Sequence, residues 1–182
     1  NNSLQIIDIP SGTFSEEIVP VQEFYDVKRT KDFLLVYGND WQCVYRDIDS
    51  SNWKIIKSIR KIINNHDYIF YINEIDSNLY RINKTKNELI YKIKKPSSVR
   101  LISSGQDSCV FLVDYINEFH IKSILFSKDN GAHFQEIPIS GFPIHTIGIY
   151  NFVFFKNHIY VNVYPDGCFA FDFSKNLWTS YN

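Results

Sequence analysis

The sequence predicts an all-β fold built from repeated units of four strands. Three observations carry this expectation. Short runs of β-branched and aromatic residues recur along the chain: "FLLVYG", "QCVYRDI", "DYIFYINE", "SCVFLVDY", "SILFS", "HIYVNVY" and "CFAFDF". Brief polar turns separate them, among them "DSSN", "DSN", "KTKN", "KDNGA", "PDG" and "SKN". Short strands with turn signals at this rhythm mark all-β sandwiches, barrels and propellers. Finally, one pattern returns four times: a strand, a polar turn, then a hydrophobic residue opening a last strand. Those openers are Trp53, Leu89, Phe134 and Trp178, spaced 36, 45 and 44 residues apart.

Taken in order, the chain begins with "LQIIDIPSG" (residues 4–12), which resembles the later "FQEIPISG" (134–141). It reads as an extra strand without its unit, suited to pairing against the last unit or left over from an earlier one. "SEEIVPVQEFYDV" is the best helix candidate, but Pro20 removes a helical donor and clashes with the preceding turn. Four approximate repeats follow, at 20–58, 59–95, 96–140 and 141–182. The first holds "FLLVYG", "QCVYRDI" and the opener Trp53. The second holds "DYIFYINE", the turn "KTKN" and Leu89. The third holds "SCVFLVDY", "SILFS", "KDNGA" and Phe134, and the fourth "HIYVNVY", "CFAFDF", "SKN" and Trp178. A period near 40–50 with four strands per unit is the signature of a β-propeller blade. The expected fold is a single small propeller domain, four-bladed, with a fragment of a larger propeller as the alternative.

Within the third repeat, "SKDNGAHF" resembles the Asp-box of sialidase-type propellers. Ser127, Asp129, Gly131 and Phe134 occupy its Ser-x-Asp-x-Gly-x-x-aromatic positions. The last repeat, "NHIYVNVYPDGCFAFDFSKNLWTSY", looks like a kelch-type blade ending. The Asp-box resemblance implies a structural turn between the third and fourth strands of a blade, away from any active site. Short Ser and Asp side chains can bond the backbone of a tight turn, and Gly131 can take a positive φ. Phe134 is expected to fold under the turn onto its own blade.

The same resemblance raises sialidase chemistry, which needs an arginine cluster to fork onto the substrate carboxylate. The five arginines, Arg29, Arg46, Arg60, Arg81 and Arg100, all precede residue 101, and sialidase-type propellers have six blades. Retained hydrolysis is not expected. "DIDSSN" imitates the start of a calcium loop, but Asn52 stands where Gly is needed and Ser58 where a bidentate Glu is needed. No P-loop, G-x-G-x-x-G or G-x-S-x-G motif occurs, and the five histidines lack metal-ligand spacing. No catalytic residue, metal or cofactor is therefore expected. Cys43, Cys109 and Cys168 lie too far apart for a metal or redox motif and read as buried thiols. Asn83-Lys84-Thr85 is a glycosylation sequon, relevant only in a eukaryotic secretory setting. The chain starts at Asn1 and holds no Met, which points to a removed leader or a piece of a longer chain. The uncharged stretch 137–155 is broken by Pro and Gly and does not read as a membrane helix.

Charge placement is the one anomaly. The net charge is −1, yet residues 53–100 carry +7 between segments of −5 and −3. Such asymmetry points to a partner surface, although Lys on outer strands also guards a sheet edge against pairing. Arg81, Lys84 and Lys86, in and beside the turn "NKTKN", are the candidate partner-binding residues and are expected to be exposed. The functional expectation is a non-catalytic module that binds another protein, with acidic surfaces favoured, as a toxin-neutralising immunity protein or specific inhibitor would. Alternatives are a glycan-binding lectin and a degenerate hydrolase propeller. Membrane insertion and nucleic acid are not favoured, and the compartment is open.

Overall fold

The computed structural model describes residues 3–8, 13–21, 23–38, 42–93, 99–103, 108–117, 119–145 and 148–181. Among these there are 18 strands and no helix. Sixteen strands form four antiparallel sheets of four strands each, and each sheet is a meander of consecutive strands. Their members are β3 (Phe24–Arg29) to β6 (Lys54–Ile56), β7 (Ile59–Asn64) to β10 (Asn87–Lys92), β11 (Val99–Ser103) to β14 (Gln135–Ile137), and β15 (Gly148–Phe155) to β18 (Leu177–Ser180). They are called sheets 1 to 4 below. The N-terminal β1 (Ser3–Asp8) does not stand alone. It forms a hairpin with β2 (Thr13–Ile18), a strand the sequence reading missed, and residues 9–12 of the expected segment lie outside the described residues.

The chain separates into two compact units, Asn1–Arg60 and Lys61–Asn182, the division falling inside β7. In the first unit, Val36 of β4 (Phe33–Gly38) and Val44 of β5 (Cys43–Asp47) are fully buried. They pack with Val19, Leu4, Val21, Phe24 and Trp53, so the hairpin lies on one face of sheet 1. Arg46 fixes the join: it donates to Glu17 at 2.8 Å and to the carbonyls of Asp47, Ile48 and Ser50.

In the second unit, sheets 2, 3 and 4 pack face to face in succession. The run "VFLV" explains how. On β12 (Val110–Asn117), Val110 and Leu112 point to sheet 2, where they meet Phe70, Ile72 and Leu79. The alternate residues Phe111 and Val113 point to sheet 4. A strand buried on both faces is a continuous apolar run, because successive side chains take opposite faces. Between sheets 3 and 4 the Phe111 ring stacks on Phe152 at 4.4 Å and on Phe126 at 4.9 Å. Trp178 of β18 packs on Phe142 and Phe171 and donates its ring N–H to the Pro138 carbonyl at 2.6 Å. Burying each such aromatic contributes about 1.5–3 kcal/mol.

The four openers are not equivalent. Trp178 is buried, Trp53 and Phe134 are half-buried and Leu89 is exposed. A register shift between Leu89 and Tyr91 sets this difference in the second sheet. There Ile90 and Tyr91, not Leu89, pack against the core.

Candidate functional site

The turn at 127–134 joins β13 (His120–Ser127) to β14. The Ser127 hydroxyl donates to Asp129 Oδ1 at 2.7 Å and accepts the Gly131 amide at 2.8 Å. Asp129 also accepts the His133 amide at 3.0 Å, and the His133 ring lies 2.7 Å away. Desolvation opposes ionisation of Asp129, but the bonds from Ser127 and from the His133 amide and ring outweigh it. Its carboxyl is held at about 2, below the ordinary 3.8. Gly131 takes φ +79, and a Cβ there would lie 2.6 Å from Ile90 Cδ1 of sheet 2. The turn therefore closes on the neighbouring sheet.

That contact corrects the expectation for Phe134. Its ring does sit under the turn, but it packs against sheet 2, edge-on to Tyr91 at 5.2 Å. Asn130 extends the clasp. Asn65, between β7 and β8 (Ile69–Asn73), donates to Asn130 Oδ1 at 2.6 Å, and Arg81 donates to the Asn130 carbonyl at 2.6 Å.

Arg81 is accordingly not an exposed residue. On β9 (Asn78–Ile82), its side chain is 13% exposed, pairs with Glu88 on β10 and lies over the Tyr68 ring at 4.9 Å. Its fork is directed inward, where Glu88 and the Asn130 carbonyl supply the acceptors that a largely buried guanidinium needs. Lys84 and Lys86 do lie exposed in the β9–β10 turn, and Lys86 pairs with Glu88. The Lys86 ammonium, against the cost of desolvation and with help from Arg81, holds the Glu88 carboxyl below its ordinary value. Of the five lysines expected on outer strands, Lys54 lies on β6 and Lys92 on β10, each the outer strand of its sheet, Lys57 falls just past the end of β6, and Lys94 and Lys95 lie outside the described residues.

Two Ser-Asp-His groupings imitate catalytic sets and are wired the wrong way. A nucleophilic serine must hand its proton to an imidazole that the carboxylate orients. Here the Ser127 hydroxyl donates directly to Asp129, and Ser174 donates directly to Asp172 at 2.6 Å. Both are turn caps. Cys43 is equally inert: burial, against a backbone hydrogen bond, pushes its thiol up to about 12. Cys109 is also buried, whereas Cys168 is only half-buried, short of the burial expected. Among the described residues no group of three or more His, Cys, Asp or Glu side chains is arranged to hold a metal. A cleft of about 260 Å³ between sheets 2 and 3 has an apolar floor of Tyr91, Ile93, Val99, Leu112 and Leu125. Its rim carries Asp114 and Lys122, paired to each other at 3.1 Å.

A second surface feature is the other face of sheet 4. Cross-strand partners share a face, so the registers define two sets. Phe152–Val161–Phe169 and Phe154–Ile159–Phe171–Trp178 face sheet 3. Phe155–His158–Asp172–Leu177 and Val153–Tyr160–Ala170–Thr179 face the other way. On this outer set Phe155 is 56%, Leu177 52% and Val153 41% exposed. Tyr181, beside Cys168, and Tyr164, at the end of β16 (His158–Tyr164), extend it. Asp172 is the one carboxylate in these rows. It is capped by Ser174 and lies 3.7 Å from Lys175 and 3.6 Å from His158. The Ser174 hydroxyl bond is the main reason its carboxyl is held at about 2. Sequence alternation in "NFVFF" and "HIYVNVY" carried the signal, but nothing in the string says which set is covered.

No family model matches the sequence, and no curated protein matches it. Solved structures do. Hsv2 of Kluyveromyces lactis aligns with a TM-score of 0.66 at 14% identity, covering 96% of this chain and 56% of the other. Hsv2 of Kluyveromyces marxianus aligns with a TM-score of 0.66 at 12% identity, over 99% and 55%. The β-propeller domain of the Trilobed protease from Pyrococcus furiosus, described as having an open velcro topology, gives 0.59 at 14%, over 97% and 62%. The fold of this chain is a β-propeller fold. The chain spans a little over half the length of the Hsv2 structures it matches.

Proposed function

We propose that the 182 residues serve as one non-catalytic propeller domain that binds another protein. The observation that carries this reading is the outer face of sheet 4, where Val153, Phe155, Leu177 and Tyr181 stand exposed around a single carboxylate. Large apolar side chains exposed together on one sheet face mark an interaction site, and here Val153 and Phe155 on one edge strand and Leu177 on the other flank the two central strands, a spread that suits a protein surface better than a small ligand. Interfaces are rich in aromatics, and this face carries Phe155 and Tyr160, with Lys156 over the Phe155 ring and Lys175 beside Asp172. Lys84 and Lys86 are proposed as a second, electrostatic contact that favours an acidic partner and acts chiefly on the association rate. Arg81, Ser127, Asp129, Gly131 and Phe134 are proposed as structural, in keeping with the Asp-box-like turn. A specific inhibitor or immunity protein is the subtype that such a motif-free domain suits. The exposed tyrosines, Tyr164 and Tyr181, favour glycan binding as the second reading, because sugars stack on aromatic faces.

The test is affinity capture from the native source with the intact chain and two variants, Phe155→Lys/Leu177→Lys and Lys84→Glu/Lys86→Glu. A protein held by the wild type and lost from the Phe155/Leu177 variant supports the reading. Equal capture by that variant overturns the face as the site. Loss of capture only in the lysine variant would transfer the site to the turn. Binding to glycans but to no protein would establish the second reading.

A further inference from the structure

The link between sheets 3 and 4 brings together two histidines that lie 25 residues apart in sequence. His120 opens β13, and His145 ends the segment that follows β14. They form an isolated antiparallel bridge, anchored by the Ile121 amide donating to the Ile144 carbonyl at 2.9 Å. The imidazole centroids are 4.1 Å apart with the rings nearly perpendicular. His120 is half-buried and His145 exposed, so an ion with its waters has access.

The tautomer of His120 follows from its neighbour. The Asn117 side-chain oxygen accepts the Phe119 amide at 3.1 Å, which identifies it as an acceptor. The His120 Nδ1 lies 2.9 Å from that same oxygen and must donate to it. The neutral ring then carries its lone pair on Nε2, oriented by an outer hydrogen bond, as metal-ligating histidines are. The other paired histidines differ: His133 lies against Asp129 and His158 against Asp172. Among the described residues no carboxylate is paired with His120 or His145.

We propose that His120 and His145 form a cross-strand site for a borderline divalent transition ion, Zn²⁺ or Cu²⁺, with water completing the coordination. Imidazole selects this class over Mg²⁺ and Ca²⁺, which prefer oxygen. Tetrahedral Zn–N bonds of about 2.0–2.1 Å place two donor nitrogens roughly 3.3 Å apart, and from the perpendicular packing of the rings binding calls for rotation of the exposed His145 ring. A bound ion would tie the connecting segment to the start of β13, and the site shares no residue with the outer face of sheet 4, so it does not rest on the partner proposal.

The experiment is calorimetric titration of the intact chain with ZnCl₂, repeated with MgCl₂. Wild-type protein is expected to bind one Zn²⁺ with a raised melting temperature and to show no response to Mg²⁺. His120→Ala and His145→Ala should each weaken binding at least tenfold, with unchanged far-UV circular dichroism. His133→Ala should leave it unaltered. Asn117→Ala, which frees the His120 ring, should weaken binding by a smaller factor. Absence of Zn²⁺ binding at millimolar concentration, or binding that survives both histidine substitutions, overturns the proposal. So does a loss in His133→Ala equal to that in the pair.

Discussion

At the scale of single residues, Asp129 shows how a turn acquires pH dependence. Its carboxylate accepts from the Ser127 hydroxyl and the His133 amide, bonds that exist in full only when it is ionised. Its folded value of about 2 lies below the ordinary 3.8. The stability it contributes is present above pH 3.8 and is lost as the pH falls through about 2. Because the side chain is 41% exposed, solvent screening moderates the effect. Asp129→Ala is expected to cost about 1 kcal/mol at neutral pH. Urea denaturation at pH 7 and again near pH 2 should show the difference between wild type and variant shrinking at the acidic end. A difference that is the same at both pH values would show that the bonds do not depend on the charge. Ser127, Asp129 and Gly131 were legible in the sequence because turn chemistry is local. Arg81 was not, since its acceptors are Glu88 on the next strand and Asn130, 49 residues away.

At the scale of elements, strands and turns follow from local composition, whereas the identity of the packing neighbour does not. "SCVFLVDY" and "DYIFYINE" read as strands from their composition alone, and the structure adds that both are buried. Whether the 127–134 turn served its own sheet or the next depended on Ile90, Asn65 and Arg81, which no local pattern connects to it. β2 was missed for a related reason: "TFSEEI" alternates weakly, and its stability comes from pairing with β1 and from the Arg46–Glu17 contact. The clasp can be measured at Gly131. A methyl group there meets both a strained φ of +79 and Ile90 Cδ1 at 2.6 Å. Gly131→Ala should cost about 2–3 kcal/mol. Ile90→Val removes the clashing carbon and by itself should cost about 0.5–1.5 kcal/mol. The double variant should therefore lose less than the two singles together. Strict additivity in chemical denaturation would mean that the sheets do not meet through this pair.

At the scale of the whole molecule, the fold is a series of meanders whose connections are short and sequential, so each sheet is nearly complete before the next begins. What the series specifies least is its own outer surfaces. Both faces of sheet 3 are covered within the second unit, while sheet 4 has an aromatic face on sheet 3 and a second face on which Val153, Phe155 and Leu177 are exposed. Local pattern cannot separate these cases, since a strand covered on both sides and one covered on a single side by chemistry of this kind have similar sequences. Mutational energetics can. Phe152 and Phe155 lie three residues apart on β15, one fully buried against Phe111 and the other 56% exposed. Phe152→Ala should cost about 3–5 kcal/mol through the cavity it leaves. Phe155→Lys, alone or with Leu177→Lys, should change stability by no more than about 0.5 kcal/mol, and it should reduce binding of an apolar dye, because the charge replaces an exposed apolar ring beside Val153. A loss of several kcal/mol in the Phe155 variant, measured on the isolated chain, would mean that this face is covered within the molecule and is not open to a partner.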